Sequence, residues 1–288
     1  MEQLVYLNGE VLPYDQARVP VEDRGFQFGD GIYEVIRIYA GRPFTFEEHF
    51  ERLRRSAAEI RLPLDIARLK ADALALITQQ GLAEATLYLQ ATRGAALRAH
   101  AFPITSQPTV VMLVRPAQPP DEALLRTGVR CLTVPDDRWA RCHIKSTNLL
   151  SNVLAKQQAV EAGCYEAIYL RDGYMTEGAS TNSWAVFDGV LWTAPKSNYL
   201  LGGITREVLL QLAREDGIPV REEPVAAHQL PHADEFMISS TTSELLPVVE
   251  LDGRPIGNGQ PGPLWQRLFT RFQQRITAEC GRGLARIP

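Results

Sequence analysis

The spacing of apolar residues along the first part of the chain predicts a series of strands. Residues Leu4 to Leu12 alternate around Asn8-Gly9, a dipeptide favoured in type I′ hairpins, so two short strands are expected there. Residues 32–39 are rich in β-branched and aromatic side chains and predict a third strand. Two further strands are expected at 86–92 and 109–114.

Apolar residues at intervals of three and four predict the helices. The first is expected over about 46–60, where Thr45 would begin it in a capping-box pattern. A second is expected over 66–80, begun by Asp65 and ended by Gly81. Later helices are expected over about 147–163, 205–216 and 263–279.

The second half of the chain adds hairpins to these helices. Three Asp-Gly dipeptides flanked by strand-like residues predict tight turns at Asp172, Asp188 and Asp252. Strands and helices are mixed without regular alternation, so the fold class is expected to be α+β. Residues 115–122 are rich in proline and break all periodicity. We expect them to form a linker between a small N-terminal domain, 1–114, and a larger domain, 123–288.

The composition of the chain limits the classes of binding partner that can be expected. The chain has 288 residues, 45% of them hydrophobic, and a formal net charge of -4 with no run of five like charges, which argues against a nucleic-acid partner. No stretch approaches 18 consecutive apolar residues, and the N-terminus lacks the pattern of a secretory signal, so no membrane partner is expected. The four cysteines are scattered, without metal-ligand spacing, which favours a cytoplasmic protein with no metal. A small molecule is the expected partner.

Two segments of the larger domain have the composition of anion sites. Gly202 and Gly203 precede a predicted helix that begins near Ile204 and Thr205, and the first turn of a helix offers free backbone N–H groups. Residues 239–243 are five consecutive hydroxyl residues after an apolar strand. Alone, the glycine segment is equally an ordinary turn, and a Ser/Thr-rich turn is the commoner interpretation of residues 239–243. Together, however, the two segments favour a phosphorylated ligand. The chain has no nucleotide-binding glycine motif.

Lysine is rare, which narrows any search for an amine nucleophile. It occurs at Lys70, Lys145, Lys156 and Lys196 only, whereas the remaining 26 of the 30 basic residues are arginines. A Schiff-base lysine must be partly desolvated so that its neutral amine is accessible. Lys145, which lies between a strand-like segment and a helix, fits best, although a lysine is far more often a surface charge.

Three other residues could take part in chemistry, and none is decisive by its surroundings alone. Glu177 precedes a glycine at a predicted strand end, where its carboxylate could face a pyridine nitrogen or lie in an exposed turn. Arg98 and His100 lie two residues apart and would point to one side of an extended segment, where they could hold a carboxylate. Arg141 and His143 repeat the same pattern.

Taken together, these stretches resemble the fold-type IV pyridoxal-phosphate enzymes, and among them the D-amino-acid transaminases. The resemblance covers nearly the whole chain. It rests on several motifs in the right order, which are residues 22–35, Thr92-Arg93-Gly94, Arg98-Ala99-His100, Ile144-Lys145-Ser146, Thr176-Glu177-Gly178 and Gly203-Ile204-Thr205-Arg206. It implies a two-domain α+β architecture in which the larger domain binds pyridoxal 5'-phosphate.

The resemblance also implies a role for each residue of the site. Lys145 would hold the cofactor covalently and move the substrate proton, and Glu177 would contact the pyridine nitrogen. The cofactor phosphate would be bound by the side chains of Arg52 and Thr241 and by the backbone of Ile204 and Thr205, while Leu201 would pack on the ring. The substrate carboxylate would be bound by Tyr33, Arg98 and His100. In this family the arginine and histidine come from the neighbouring subunit, which implies a homodimer.

The activity implied is transamination between D-amino acids, such as D-alanine and D-glutamate, and the 2-oxo acids pyruvate and 2-oxoglutarate. Three related activities share Lys145 and Glu177 counterparts: L-branched-chain aminotransferase, (R)-amine transaminase and aminodeoxychorismate lyase. The Arg98-x-His100 pattern argues against them. A non-catalytic cofactor-binding protein on the same scaffold is the remaining alternative, and an intact Lys145 argues against it. Thr147 and Thr181 depart conservatively from the family pattern, which leaves side-chain specificity open.

Overall fold

The structure, a computed structural model, describes residues 4–105 and 107–283. By contacts the chain divides into two compact units. The first comprises the described residues of Met1–Gln118 with the segments Ile144–Asn148 and Cys280–Arg282, so Lys145 belongs to it. The second comprises the described residues of Pro119–His143, Leu149–Glu279 and Gly283–Pro288. A linker over 115–122 stays a prediction, and the outermost residues of the two expected domains, 1–3 and 284–288, lie outside the described residues.

The elements of the first unit are six strands and three helices, counted over its described residues. The strands are β1 (Leu4–Leu7), β2 (Glu10–Pro13), β3 (Gly31–Tyr39), β4 (Arg42–Pro43), β5 (Ala85–Thr92) and β6 (Thr109–Pro116). The helices are α1 (Arg24–Phe28), α2 (Phe46–Glu59) and α3 (Ile66–Gln80).

The strands of the first unit form one antiparallel sheet in the order β2-β1-β6-β5-β3-β4. Ile32, Ile36 and Ile38 of β3 are fully buried, and α2 adds Phe50 and Leu53 to the same core. Burial of apolar surface at roughly 25 cal/mol per Å² is the main force that holds this layer together. Two charged residues of β3, Glu34 and Arg37, are buried in the same strand and therefore need partners.

The predicted helix ends are confirmed for α3 and only in part for α2. Asp65 accepts a hydrogen bond from the backbone N–H of Arg68, and Gly81 ends α3 in the left-handed conformation, at φ 59°. The capping box at Thr45 is wrong, because Thr45 itself adopts φ 50° and makes no side-chain cap. Its hydroxyl donates to the carbonyl of Phe44 instead.

The second unit contains ten strands and four α-helices within the described residues. The strands are β7 (Val129–Pro135), β8 (Glu166–Arg171), β9 (Tyr174–Gly178), β10 (Asn182–Phe187), β11 (Val190–Thr193), β12 (Val220–Glu222), β13 (Val225–Ala226), β14 (Glu235–Ser240), β15 (Glu244–Leu251) and β16 (Arg254–Pro255). The helices are α4 (Glu122–Thr127), α5 (Leu150–Glu161), α6 (Ile204–Glu215) and α7 (Pro263–Cys280), with a 3-10 helix at Ala227–His232.

These strands form one mixed sheet, in the order β12-β11-β10-β14-β15-β7-β8-β9-β13, with β16 paired to β15. The three predicted Asp-Gly turns are confirmed, since Asp172, Asp188 and Asp252 each have φ between 50° and 52°. The α+β prediction is confirmed by this mixture of helices and sheets. No helix of the described residues is long and apolar enough to cross a membrane.

One helix begins later than its pattern predicts. The sequence suggested a start near 147, whereas α5 begins at Leu150. The reason lies in the segment before it, where Ser146 bridges Ile32 and the N–H of Thr147 donates to the carbonyl of Gly31 at 3.0 Å. These contacts hold the chain extended beside β3.

Candidate active site

The backbone of Lys145 is fixed on both sides in the first unit. Its carbonyl accepts a hydrogen bond from the N–H of Tyr33 at 3.0 Å, and its own N–H donates to the hydroxyl of Ser56 at 3.2 Å. The Nζ atom then lies 4.2 Å from the centroid of the Tyr33 ring, a cation–π distance, and the residue is half-buried. The structure thus places a partly desolvated amine beside an aromatic ring.

The other three lysines are engaged elsewhere. Lys70 pairs with Glu47, and Lys196 pairs with Glu207 at 2.8 Å. Lys156 donates to the carbonyl of Tyr165 and lies 3.6 Å from Glu166. Lys145 is the lysine whose ammonium lies over the ring of a predicted substrate-binding residue.

Arg52 lies on the buried face of α2 and pairs with Glu34 of β3. Its Nε and Nη2 atoms donate to the two carboxylate oxygens at 2.7 and 2.8 Å, and Nδ1 of His49 lies 2.8 Å from the same carboxylate. Burial would raise the pKa of Glu34, but the charge and hydrogen bonds of Arg52 and the hydrogen bond of His49 outweigh it and hold that pKa well below its ordinary value. Glu34 is therefore a permanent anion that orients Arg52.

His49 is a neutral member of this cluster. Burial lowers its pKa, and the positive charges of Arg52 and Lys145 add to that effect against the opposing influence of Glu34. A neutral imidazole has a single N–H, and the contact with Glu34 requires that it sit on Nδ1. The cluster then carries one negative and one positive charge, and it leaves Nε2 of His49 as an acceptor.

Glu177 is the penultimate residue of β9 in the second unit and is buried. One carboxylate oxygen accepts a hydrogen bond from Nη1 of Arg138 at 2.6 Å. The other accepts from the N–H of Leu201 at 3.0 Å and from the amide of Asn182 at 3.2 Å. Arg138 is shared with Asp136, whose side chain is buried and to which it donates at 2.9 Å.

Burial raises the pKa of Glu177 to about 7, although the charge and hydrogen bond of Arg138 and the N–H of Leu201 act in the opposite direction. For Arg138, burial is outweighed by Asp136 and Glu177, which raise its pKa and keep it cationic. The pair therefore combines a fixed cation with a carboxyl group that gains or loses its proton near neutral pH. Perturbed carboxyl groups of this kind are typical of active sites.

The glycine-rich segment before α6 forms the helix start that the sequence predicts. Gly203 caps the helix, and Ile204 and Thr205 are its first, buried residues. A Cβ atom at Gly203 would lie 2.0 Å from Oδ1 of Asn182, so only glycine permits this approach. Asn182 also donates to the carbonyl of Leu201 at 2.9 Å and thereby links Glu177 to the helix start.

The free N–H groups of this first turn and the partial positive charge of the helix end favour an anion. Thr241 lies in the turn between β14 and β15 and is half-buried. The hydroxyl of Thr241 is a group that can donate a hydrogen bond to an anion such as phosphate. Its role in binding stays a prediction.

Arg98 and His100 lie on an exposed segment of the first unit and share one aromatic neighbour. The guanidinium carbon of Arg98 is 4.9 Å from the centroid of the Phe28 ring, and the His100 ring is 5.5 Å from it. Tyr33 of β3 is half-buried, and its ring lies 5.9 Å from that of Tyr88. In the first unit the structure thus brings together Lys145 with Tyr33, Arg98 with His100, and Arg52 with Glu34. In the second unit it brings Glu177 together with Leu201.

Four residues of these clusters were missed by sequence reasoning. Glu34 carries a usable signal, because a charged residue inside an apolar strand must find a partner. His49 carries one too, since it lies three residues before Arg52 and shares its helix face. Arg138 and Asn182 carry none, because they reach Glu177 through contacts that no local pattern indicates.

A family model described as "Amino-transferase class IV" matches residues 31–251. The chain belongs to this family, which confirms the resemblance found in the motifs. The D-alanine aminotransferase of Bacillus licheniformis is 44% identical over 280 residues, or 96% of this chain and 99% of that protein. The D-alanine aminotransferase of Staphylococcus aureus (strain N315) is 44% identical over 275 residues, or 94% of this chain and 97% of its own length.

Solved structures agree on the fold. The branched-chain amino acid aminotransferase of Escherichia coli superposes with a TM-score of 0.88 at 32% identity, covering 93% of this chain and 92% of that one. The branched-chain aminotransferase of the thermophilic archaeon Thermoproteus uzoniensis, solved with norvaline, gives a TM-score of 0.85 at 29% identity, covering 97% of this chain and 96% of its own.

Proposed function

We propose that this chain is a pyridoxal-phosphate-dependent transaminase that exchanges amino groups between D-amino acids and 2-oxo acids. D-alanine and D-glutamate are the proposed donors, and pyruvate and 2-oxoglutarate the proposed acceptors. The observation that carries the proposal is the half-buried amine of Lys145 beside Tyr33, in a chain that is 44% identical to D-alanine aminotransferases over nearly its whole length.

The residues present fit pyridoxal phosphate by the chemistry of their groups. The amine of Lys145 suits the cofactor aldehyde, the carboxyl of Glu177, with a pKa of about 7, suits a basic ring nitrogen, and the start of α6 suits a phosphate. The hydroxyl of Thr181 supports a polar ligand, because it is buried without a hydrogen-bond partner among the described residues. When bound, the cofactor delocalises the electron pair left on the substrate when its α-proton departs.

The chain itself would supply binding, orientation and proton transfer. In this role Lys145 would take up the α-proton of the substrate and return it, and Glu177 would keep the ring nitrogen of the bound cofactor protonated. The cofactor phosphate would be held by Arg52, Thr241 and the backbone N–H groups of Ile204 and Thr205, and Leu201 would contact the cofactor ring. The substrate carboxylate is bound by Tyr33, Arg98 and His100.

The chain is proposed to act as a homodimer in which Arg98 and His100 serve the site of the neighbouring subunit. Helix α5 supports this, because Leu150, Val153, Leu154 and Val160 are each more than half exposed and recur at helical spacing. An apolar stripe of this kind is typical of a protein interface. Replacing Leu154 with lysine should shift the sedimentation coefficient toward that of a monomer, whereas a monomeric wild type would overturn the proposal.

Two proposals concern the chain as a whole. Residues 115–122 are proposed to link the domains 1–114 and 123–288, and limited proteolysis should cut there first. The protein is proposed to be cytoplasmic, since its four cysteines are scattered and form no disulfide within the described residues. Cell fractionation tests the location.

Two experiments test the function. Borohydride reduction of the purified protein, followed by peptide mapping, should place a pyridoxyl group on Lys145, and a label on Lys70, Lys156 or Lys196 would overturn the assignment. Parallel assays with D-alanine, L-leucine, (R)-1-phenylethylamine and aminodeoxychorismate should give the highest kcat/KM with D-alanine. A preference for one of the other three would assign the chain to the corresponding alternative activity.

A further inference from the structure

The backbone of the segment that carries Arg98 and His100 accepts hydrogen bonds from a buried arginine, Arg24. Its Nη1 atom donates to the carbonyl of Ala99 at 2.5 Å and lies 3.4 Å from that of Ala101, and its Nη2 donates to the carbonyl of His100 at 3.4 Å. Arg24 is 3% exposed, whereas the segment itself is exposed. One guanidinium thus reaches three successive carbonyls of a segment without regular secondary structure.

Arg24 is in turn held by a second buried arginine through Asp30. The Nε atoms of Arg24 and Arg93 both donate to Oδ2 of Asp30 at 2.8 Å, and Nη2 of Arg93 donates to Oδ1 at 3.0 Å. Burial would raise the pKa of Asp30, but hydrogen bonds and charges from Arg93 and Arg24 lower it below its ordinary value. Asp30 is therefore an anion that aims Arg24 at the carbonyls.

Two aromatic rings add side-chain contacts to these backbone hydrogen bonds. The Phe28 ring has Arg24 at 4.8 Å and Arg98 at 4.9 Å from its centroid. The Phe102 ring, at the other end of the segment, lies 3.6 Å from the guanidinium carbon of Arg93. The segment is thus held at its backbone by Arg24 and at each end by a contact between an aromatic ring and a guanidinium group.

We propose that Arg24 is a positioning residue for recognition of the substrate carboxylate: by fixing the carbonyls of residues 99–101 it holds Arg98 and His100 in their binding geometry. This rests on the proposed role of Arg98 and His100 in binding that carboxylate. The physical reason is preorganisation, because a segment that is ordered before binding does not lose that freedom on binding. The planar fork of arginine suits several carbonyls at once, whereas lysine offers one point charge.

The test is to replace Arg24 with glutamine and measure KM for D-alanine and inhibition by propionate, a carboxylate that does not react. The KM for D-alanine and the inhibition constant of propionate should each rise roughly 5- to 30-fold, while kcat changes less than about threefold. Arg37→Gln is the matched control, since Arg37 is equally buried but contacts Glu84 and the carbonyl of Ala85 instead. If the two variants weaken propionate binding equally, Arg24 contributes only general stability and the proposal is overturned.

Removing the groups that Arg24 would position separates this inference from the proposed function. In a background that carries both Arg98→Ala and His100→Ala, Arg24→Gln should raise KM less than about twofold further, because the two side chains that Arg24 positions are gone. A full additional rise would overturn the inference while leaving Arg98 in its role. If Arg98→Ala by itself leaves KM unchanged, the proposed carboxylate site fails and the inference with it. Should Arg24→Gln not fold, Arg24→Lys keeps the pairing charge for Asp30 and decides by the same measurements.

Discussion

Two buried glutamates, one in each unit, have the same kind of partner and opposite acidity. Glu34 and Glu177 each lie within 2.7 Å of an arginine nitrogen and are each at most 5% exposed. The pKa of Glu34 nevertheless lies well below its ordinary value, whereas that of Glu177 is raised to about 7. An arginine neighbour alone therefore does not decide whether a buried carboxyl group is ionised.

The difference follows from how each arginine is shared. Arg52 donates to both oxygens of Glu34, and His49 adds a further hydrogen bond. These three hydrogen bonds stabilise the ionised carboxylate. Arg138 gives Glu177 a single nitrogen and uses its Nε and Nη2 atoms on Asp136. Asp136 also repels the negative charge of Glu177. One cluster is thus built to hold a charge and the other to exchange a proton.

Glu34→Gln should have the largest effect, because it removes the fixed charge that compensates Arg52. Breaking a buried ion pair from one side costs about 3 to 5 kcal/mol in the free energy of unfolding. Urea unfolding of the wild type and the variant measures it. Glu51→Gln, which breaks an exposed pair with Arg54, is the control and should leave the urea midpoint nearly unchanged. A loss for Glu34→Gln no larger than the control would show that Arg52 does not depend on Glu34.

Glu177→Gln should affect chemistry more than stability. A neutral amide does not keep the ring nitrogen protonated, so kcat should fall at least about 100-fold with little change in KM, a difference of roughly 2.7 kcal/mol in the activation barrier. Steady-state kinetics with D-alanine test this. An unchanged kcat would make Glu177 a structural residue, and the contrast with Glu34 would lose its functional meaning.

Arg98→Ala extends the comparison to an exposed arginine whose proposed partner is the substrate carboxylate. A bidentate contact in a partly dry site contributes roughly 1.5 to 3 kcal/mol, so KM for D-alanine and 2-oxoglutarate should rise about 10- to 150-fold. The absorption spectrum of the bound cofactor should stay nearly the same, because Arg52 and the start of α6, not Arg98, are proposed to bind its phosphate. A loss of cofactor in this variant would contradict the separation of the two anion sites.

Local patterns predicted much of the fold. The bounds of α2 and α3 and the Asp-Gly turns follow from residues that are close in sequence. The choice of Lys145 also came from its neighbours in sequence, and its role stays a prediction. The pairing of Arg138 with Glu177 spans 39 residues, and that of Arg24 with the carbonyl of Ala99 spans 75. No periodicity encodes such contacts, because they arise only when strands and loops have been brought together. The late start of α5 has the same origin, since β3 competes for the backbone of residues 146 and 147.

The smallest effect expected is a pH dependence of stability that separates the two glutamates. The pKa of Glu177 rises from about 4.5 in the unfolded chain to about 7 in the folded one, so between these values the folded state binds more protons than the unfolded state. Its contribution to stability therefore falls as pH increases from about 5 to 7 and is constant above that range. Glu34, whose folded pKa is lowered, loses its contribution only as pH falls below the ordinary value, so it is constant over the same interval.

Urea unfolding of the cofactor-free protein at pH 5 and pH 7.5 measures this dependence. Between these conditions the wild type should lose about 1 to 2 kcal/mol relative to Glu177→Gln, which cannot titrate. This is less than the full pKa shift would give, because local relaxation around a newly charged Glu177 lowers the cost. A parallel pH dependence in wild type and variant would mean that Glu177 is ionised throughout this range. The effect of Arg138 on the pKa of Glu177 would then exceed that of burial, and Glu177 and Glu34 would both be permanent anions.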